Sequence, residues 1–486
     1  MIKAGRGRRL HRRLLVGGIA FLVAGAVTAA MVVDWLGVTP RALGPYIERR
    51  TEGHHPAIVA GGRLTGRALV ELDRGMAHPT GDLVRALAPG TQARPANPTA
   101  PVGILVATPD EVRTALAAAQ PGDVITLSPG TYRFEGIKLD VNRPGRADAR
   151  ITVRAAQPGS VRLEFRMVEG FKVSAPWWRF ENLVIRGACD DDDSCEHAFH
   201  VVGAASHFAA VNNTISDFNA HFKINGEDGR FPDDGLIESN TLDNSRVRAT
   251  ARPVTPIDLV AASRWVIRTN WISDFIKGQG DRISYGAFAK GAGSANIFER
   301  NLIWCEHRLR GEPGQRIGLS LGGGGTGKEV CRDRKCITEQ DGGVLRANLI
   351  TACSDVGIYL NSAAASKVDD NTVVDTAGID VRFPASSADA TGNLVDGAIR
   401  SRNGGLLRSV DNYSTPLWQS FAGLHRVRGL FTAPQAGDFS WRSKAPSRER
   451  EAEERAAPDL CGKRRGIMAS YGAFDDFRDC QAARGP

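Results

Sequence analysis

The sequence predicts an all-β solenoid, a right-handed parallel β-helix, preceded by one transmembrane helix and closed by short helical caps. Three observations carry this: a phrase recurring between Phe180 and Asn412, abundant glycine with few long amphipathic helical patterns, and one apolar run near the start. The phrase reads FENLVI around Asn182, VNNTIS around Asn213, ESNTLD around Asn240 and RTNWIS around Asn270. It continues as ERNLIW around Asn301, RANLIT around Asn348, DDNTVV around Asn371 and TGNLVD around Asn393. Two places after each of these asparagines stands an aliphatic residue, from Val184 and Ile215 to Val373 and Val395; a weaker copy around Asn412 has Ser414 there. Most intervals are about 20 to 30 residues, the range in which self-similarity marks a solenoid. Each phrase reads as one turn of the chain, with the Asn at the bend, where its side chain tolerates a left-handed backbone. A short strand follows and points its aliphatic residue inward. One coil cannot bury that face alone, so coils stack at roughly 4.8 Å and share a core.

The apolar run, Leu14 to Val33, is 20 residues long and follows a cluster of six basic side chains (Lys3, Arg6, Arg8, Arg9, Arg12 and Arg13). That length crosses a bilayer as a helix, and the basic cluster holds its own end in the cytoplasm. The expected place is therefore the inner membrane, single-pass, with everything after Asp34 periplasmic or extracellular; a cleaved signal peptide is the competing reading. The formal charge is +8, but without those six residues 56 basic face 54 acidic side chains. A body so close to neutral gives no ground for a nucleic-acid partner.

Eight cysteines suit an exported, disulfide-bonded chain. Local spacing suggests Cys189–Cys195, Cys331–Cys336 and Cys461–Cys480, and stacking of consecutive coils would bring Cys305 to Cys353. The expected organisation is a basic tail and anchor over 1–38, a spacer or small helical collar over 39–100, the β-helix over 101–445 and a cap over 446–486. Thr108-Pro-Asp-Glu111 forms a capping box that opens a short helix through Ala119. Ahead of the strands in GDVITLSPGTY, this helix would cover the unpaired edge of the first coil.

That opening carries a resemblance. GDVITLSPGTYRFEGIKL, ARITVRAAQPGSVRL and FENLVIRG, in a region spanning roughly Pro101 to Gly405, are similar to the chondroitinase-B/alginate-lyase family (polysaccharide lyase family 6). The resemblance implies removal of the proton at C5 of a uronic acid and expulsion of the 4-linked sugar. It implies a Lys base, an assisting Arg, and acidic residues holding a Ca²⁺ that neutralises the substrate carboxylate. In SYGAFAKGAGSANIFERN the position of the family's Lys is Lys290. Gly322 stands where the family has its Arg, and Arg316, six residues earlier, is the nearby substitute. Tyr285 and Ser284 occupy the neighbourhood of the family's acidic pair, with Asp281 the closest carboxylate.

A second cluster stands on the residues themselves. His197, His200, His221, Lys223, Asp233 and Asp234 are concentrated in two consecutive coils, where short strands would aim them to one face. The expected use is a groove for a charged glycan, with substrate contacts from His221, Lys223 and His200 and a metal at Asp233 and Asp234; the resemblance adds Tyr285 as a substrate contact and Asp281 as a metal ligand. The run Gly322 to Lys328 has P-loop spacing, but Glu329 follows the lysine and no helix opens there, so no nucleotide is expected. The leading function is an enzyme that cleaves an acidic, uronate-containing polysaccharide by β-elimination; the alternative is a non-catalytic glycan-binding or envelope-assembly protein on the same scaffold.

Overall fold

A computed structural model describes residues 25, 28, 31–32, 37–75, 89–97, 103–323 and 325–482. The anchor run Leu14 to Val33 lies almost wholly outside these. Among the described residues no helix is long and apolar enough to cross a membrane. The chain forms two compact units, Met1–Gly75 with Thr415–His425, and Met76–Ser414 with Arg426–Pro486.

In the smaller unit, helices Pro40–Thr51 and Pro56–Arg74 pack against each other. Gly44 permits their close approach, since a Cβ there would meet Gly66 O at 2.6 Å. Arg41 Nη2 and Asp73 Oδ1, both buried, close the pair at 2.6 Å.

The larger unit is a parallel β-helix. After the first strand, Ile104–Val106, successive strands rotate through three long sheets: sheet A, ending at Leu406–Val410; sheet B, from Gly130–Glu135 to Tyr413–Ser414; and sheet C, from Leu139–Val141 to Ala398–Arg402, while Gly293–Ser294, Gln340–Asp341 and Ala363–Ala364 form a short fourth sheet between C and A. Inward positions stack coil on coil. Ile185, Ile215, Leu242, Ile272, Ile303, Ile350, Val373 and Val395 form one such column in sheet B, and Phe171, Phe199 and Phe222 stack ring on ring in sheet C. The first coil is covered by helix Pro109–Ala118, whose capping box joins Thr108 and Glu111 and whose Val112 and Leu116 are buried.

The asparagines form a ladder between sheets A and B. The amide of Asn240 is typical: its Oδ1 accepts from Asn213 N at 2.9 Å, while its Nδ2 donates to Asn270 Oδ1 and to Ala210 O, each at 3.0 Å. The same pattern runs on through Asn301, Asn348, Asn371 and Asn393 to Asn412. Two details differ from the sequence reading. The left-handed residue is the one before the ladder asparagine (Ser239, Thr269, Arg300, Ala347, Asp370 and Asp411 have φ of 51° to 56°), because the bend must precede the amide for the side chain to point inside. Asn182 is also one place out of register: it aligns with Asn212, which donates to it at 2.8 Å, and Ile185 rather than Val184 faces the core.

All four cysteine pairs, three expected from spacing and one from stacking, are bonded: Cys189–Cys195, Cys331–Cys336 and Cys461–Cys480, and Cys305–Cys353. The last coil strand is Tyr413–Ser414, and Thr415–His425 joins the helical unit. Residues 426–482 pack Phe431, Phe439, Phe474 and Phe477 onto Trp304, Leu349 and Leu394 of sheet B.

Candidate active site

Sheet C presents its outward residues in rows because parallel strands keep register from coil to coil. One row reads Lys172, His200, Lys223, Asp258 and Phe288. A cavity of about 650 Å³ opens over this row between Pro253, Lys277 and the loop that follows strand Gln315–Leu321. Its floor is cationic with built-in counterions. Lys223 Nζ meets Asp258 Oδ2 at 2.8 Å, and Lys277 Nζ meets Asp281 Oδ1 at 2.6 Å. Beside the cavity, Lys172 Nζ meets Glu227 Oε1 at 2.9 Å. His200 lies 3.0 Å from Glu169 Oε1 through Nδ1 and 2.9 Å from Asn225 Oδ1 through Nε2. The bond to His200 holds the Glu169 carboxyl below the usual carboxylate range. Burial pushes the neighbouring His197 down to about 3, which keeps that ring neutral.

Lys290 differs from the other lysines of the site. Its Nζ sits 4.4 Å from the Phe288 ring centroid and has no hydrogen-bond or ion-pair partner among the described residues. The Gly323 backbone lies against its stem, where an added Cβ would stand 2.7 Å from Lys290 Cδ. Tyr285 closes that side, edge-on to Phe288 with ring centroids 5.5 Å apart. Burial, with Tyr359 and several carboxylates nearby, pushes its phenol up to about 12, so it holds its proton. The cavity therefore combines an amine with no carboxylate partner among the described residues, a protonated phenol and two lysine–aspartate pairs.

Of the residues singled out from the sequence, Lys290, Tyr285, Lys223, His200 and Asp281 all line this cavity. Four others do not, and each has a physical reason. Arg316 is fully buried beneath the loop before its strand, with Nε on Glu306 Oε1 at 2.8 Å, Nη1 on Pro313 O at 2.8 Å and Nη2 on Glu312 O; it cannot reach a substrate. His221 is also fully buried, held 3.0 Å from Asp243 O through Nε2, and burial pushes it down to about 4. Asp233 and Asp234 are ion-paired. Arg332 grips Asp233 at 2.7 and 2.9 Å, and Arg264 grips Asp234 at 2.7 and 2.8 Å. Asp233 thereby anchors the disulfide-closed loop Cys331–Cys336, which follows the cavity-lining segment 325–330, and Asp234 is taken by Arg264.

Calcium takes about six to eight oxygen ligands, several of them carboxylates. Among the described residues no group of three or more His, Cys, Asp or Glu side chains is placed to hold an ion, and Asp258 and Asp281 each already sit on a lysine. The donor set does not fit the expected Ca²⁺. Sequence reasoning missed Asp258, Lys277 and Phe288. Asp258 had left a signal, as the one carboxylate in the apolar strand Ile257–Val260.

These observations define a parallel β-helix with a cationic cavity on one outer face. No family model matches the chain, and no curated protein matches it. Among solved structures it is similar to the pectate lyase Pel9A, at 14% identity over 75% of this chain and 90% of that one, with a TM-score of 0.52. A rhamnogalacturonan lyase matches at 13% identity over 75% and 95%, with a TM-score of 0.44. An alginate lyase from Paenibacillus sp. str. FPU-7 matches at 15% identity over 64% and 98%, with a TM-score of 0.36. At such identities the likeness to Pel9A establishes the fold alone.

Proposed function

We propose that this protein cleaves an acidic, uronate-containing polysaccharide by β-elimination in the cavity on sheet C. The observation that carries the reading is Lys290, an amine presented to a cationic cavity without a carboxylate partner among the described residues. In this reading Lys290 Nζ takes the C5 proton of the uronate, the C4–O4 bond breaks, and a C4=C5 double bond forms. The Tyr285 phenol gives its proton to the departing oxygen. His200, Lys223 and Lys277 supply positive field toward the substrate carboxylate, whose charge otherwise opposes loss of the neighbouring proton. That Pel9A is named a pectate lyase supports a polysaccharide substrate. The run Leu14 to Val33 serves as the membrane anchor, with the solenoid outside the cytoplasm; four disulfides suit that compartment.

A second reading, a non-catalytic glycan-binding protein, is favoured by one observation: the arginine available to assist elimination is locked to Glu306 beneath a loop. One assay separates the two. The full chain, incubated with alginate, pectate and chondroitin, is expected to release products with the ultraviolet absorbance of the conjugated uronate. Lys290→Met is expected to lower that rate by about a thousandfold with an unchanged unfolding midpoint. Polymer retained without unsaturated product supports the binding protein, and new reducing ends without that absorbance mean hydrolysis.

A further inference from the structure

Beyond the cavity, the outer face of sheet C carries a second cationic site. Paired residues run Phe288, Ser320, Tyr359, Asp380 and Arg400. In the neighbouring row, one place past the paired Ala289 and Leu321, Gly322 stands beside Lys290. The same row continues through Asn361, Arg382 and Arg402. The two rows thus fall from Lys290 to small side chains at Gly322 and Ser320, then rise to a group of three arginines. Stacking at about 4.8 Å per coil puts Arg382 about 14 Å and Arg402 about 19 Å along the axis from the Lys290 strand.

The arginines are held in place but not used up. Arg402 and Arg400 share Asp380 Oδ2, at 2.6 and 3.6 Å, and the side chain of Asp380 is fully buried. Arg382 lies over the Phe383 ring at 4.4 Å, with Nε on Asn403 Oδ1 at 3.0 Å and Nη1 on the Tyr359 hydroxyl at 3.3 Å. Three guanidiniums therefore meet two carboxylates, Asp380 and the nearby Asp355, and Arg382 has no carboxylate of its own among the described residues. Among the described residues Arg382 Nη2 and Arg402 Nη1 have no acceptor, which leaves donors in the planar fork that suits carboxylate or sulfate groups. Tyr359 connects the two sites, since it neighbours Tyr285 of the cavity and accepts from Arg382.

We infer that Arg382, Arg400 and Arg402 form a distal subsite that grips carboxylate or sulfate groups of the same polyanionic chain several sugars away from Lys290. The inference rests on the proposed polyuronate substrate and adds to it a preference for long chains laid along the solenoid axis. A polymer occupying both sites spans the intervening coils, whose outward residues Gly322, Ser320, Tyr359 and Asn361 are all buried. A short oligosaccharide in the cavity does not reach the arginines.

The test is equilibrium binding of the full chain to long alginate and to an alginate disaccharide at fixed low salt. Two variants are compared with the wild type: Arg382→Gln, which breaks no ion pair, and Arg402→Lys, which keeps the charge beside Asp380 and removes the fork. Arg382→Gln is expected to weaken long alginate by about tenfold while the disaccharide changes less than twofold. Arg402→Lys is expected to produce a smaller loss, also confined to the long chain. Unchanged binding of long alginate by Arg382→Gln, or an equal loss for both ligands, overturns the distal subsite and leaves the Lys290 cavity standing. Wild-type protein that binds neither ligand overturns the polyuronate reading, and the subsite with it.

Discussion

Sheets B and C run through the same coils with the same inward columns of aliphatic and aromatic residues, yet their outer faces have opposite fates. On sheet B the outward row reads Trp271, Leu302, Leu349, Thr372 and Leu394, and the C-terminal residues close over its far half with a cluster of phenylalanines. On sheet C the corresponding row reads Lys172, His200, Lys223, Asp258 and Phe288, and a cavity stands over it. The inward half of each strand specifies the coil. The outward half decides whether a face is buried by the chain's own end or offered to a ligand. In a solenoid these two sets of instructions alternate along one strand and can change independently.

Several variants break or sharpen this contrast. The largest effect is expected from Arg316→Ala, which removes the buried guanidinium from Glu306 at a loss of about 4 kcal/mol in denaturant unfolding. Were Arg316 a catalytic arginine of the sheet C face, activity would fall with stability intact; the buried pair predicts the reverse. Phe474→Ala removes a fully buried ring from the cover of sheet B and is expected to cost about 3 kcal/mol. The variant should lose its C-terminal residues to protease faster while the Lys290-dependent reaction persists below the unfolding transition. A third effect is small at any one pH and builds up over the acid range. His221 falls from an ordinary 6.5 to about 4 in the folded chain, so on acidification the unfolded chain takes up the proton first. Stability present above pH 6.5 is thus lost as pH falls toward 4, and His221→Gln is expected to flatten that decline by up to about 1.4 kcal/mol per pH unit. His197, falling to about 3, maintains the remaining slope.

Much of the solenoid was legible because it repeats. An amide that bonds to the coils above and below must recur once per coil, and the disulfides follow from short spacings and from stacking. The offset of Asn182 was not legible, since the doubled Asn212-Asn213 lets either residue serve as the match, and only the strand register separates them. In the site, Lys290, Tyr285, Lys223 and His200 could be placed because they lie on sheet strands, where position fixes direction. Arg316 and His221 lie on strands too, but long irregular segments (around Glu306 and Asp243) fold over them, and no periodicity describes those paths. Asp233 was misread for a related reason: its partner Arg332 stands 99 residues away, so the pair exists only once the coils are stacked.

The most direct measurement of the central idea, that the open face of sheet C receives the glycan, is lysine footprinting of the full chain with an acylating reagent, with and without long alginate. Protection of Lys290 and Lys223, with exposed Lys367 on sheet A reacting as before, is the result predicted. Equal protection of all three lysines, or protection of Lys367 alone, would contradict it.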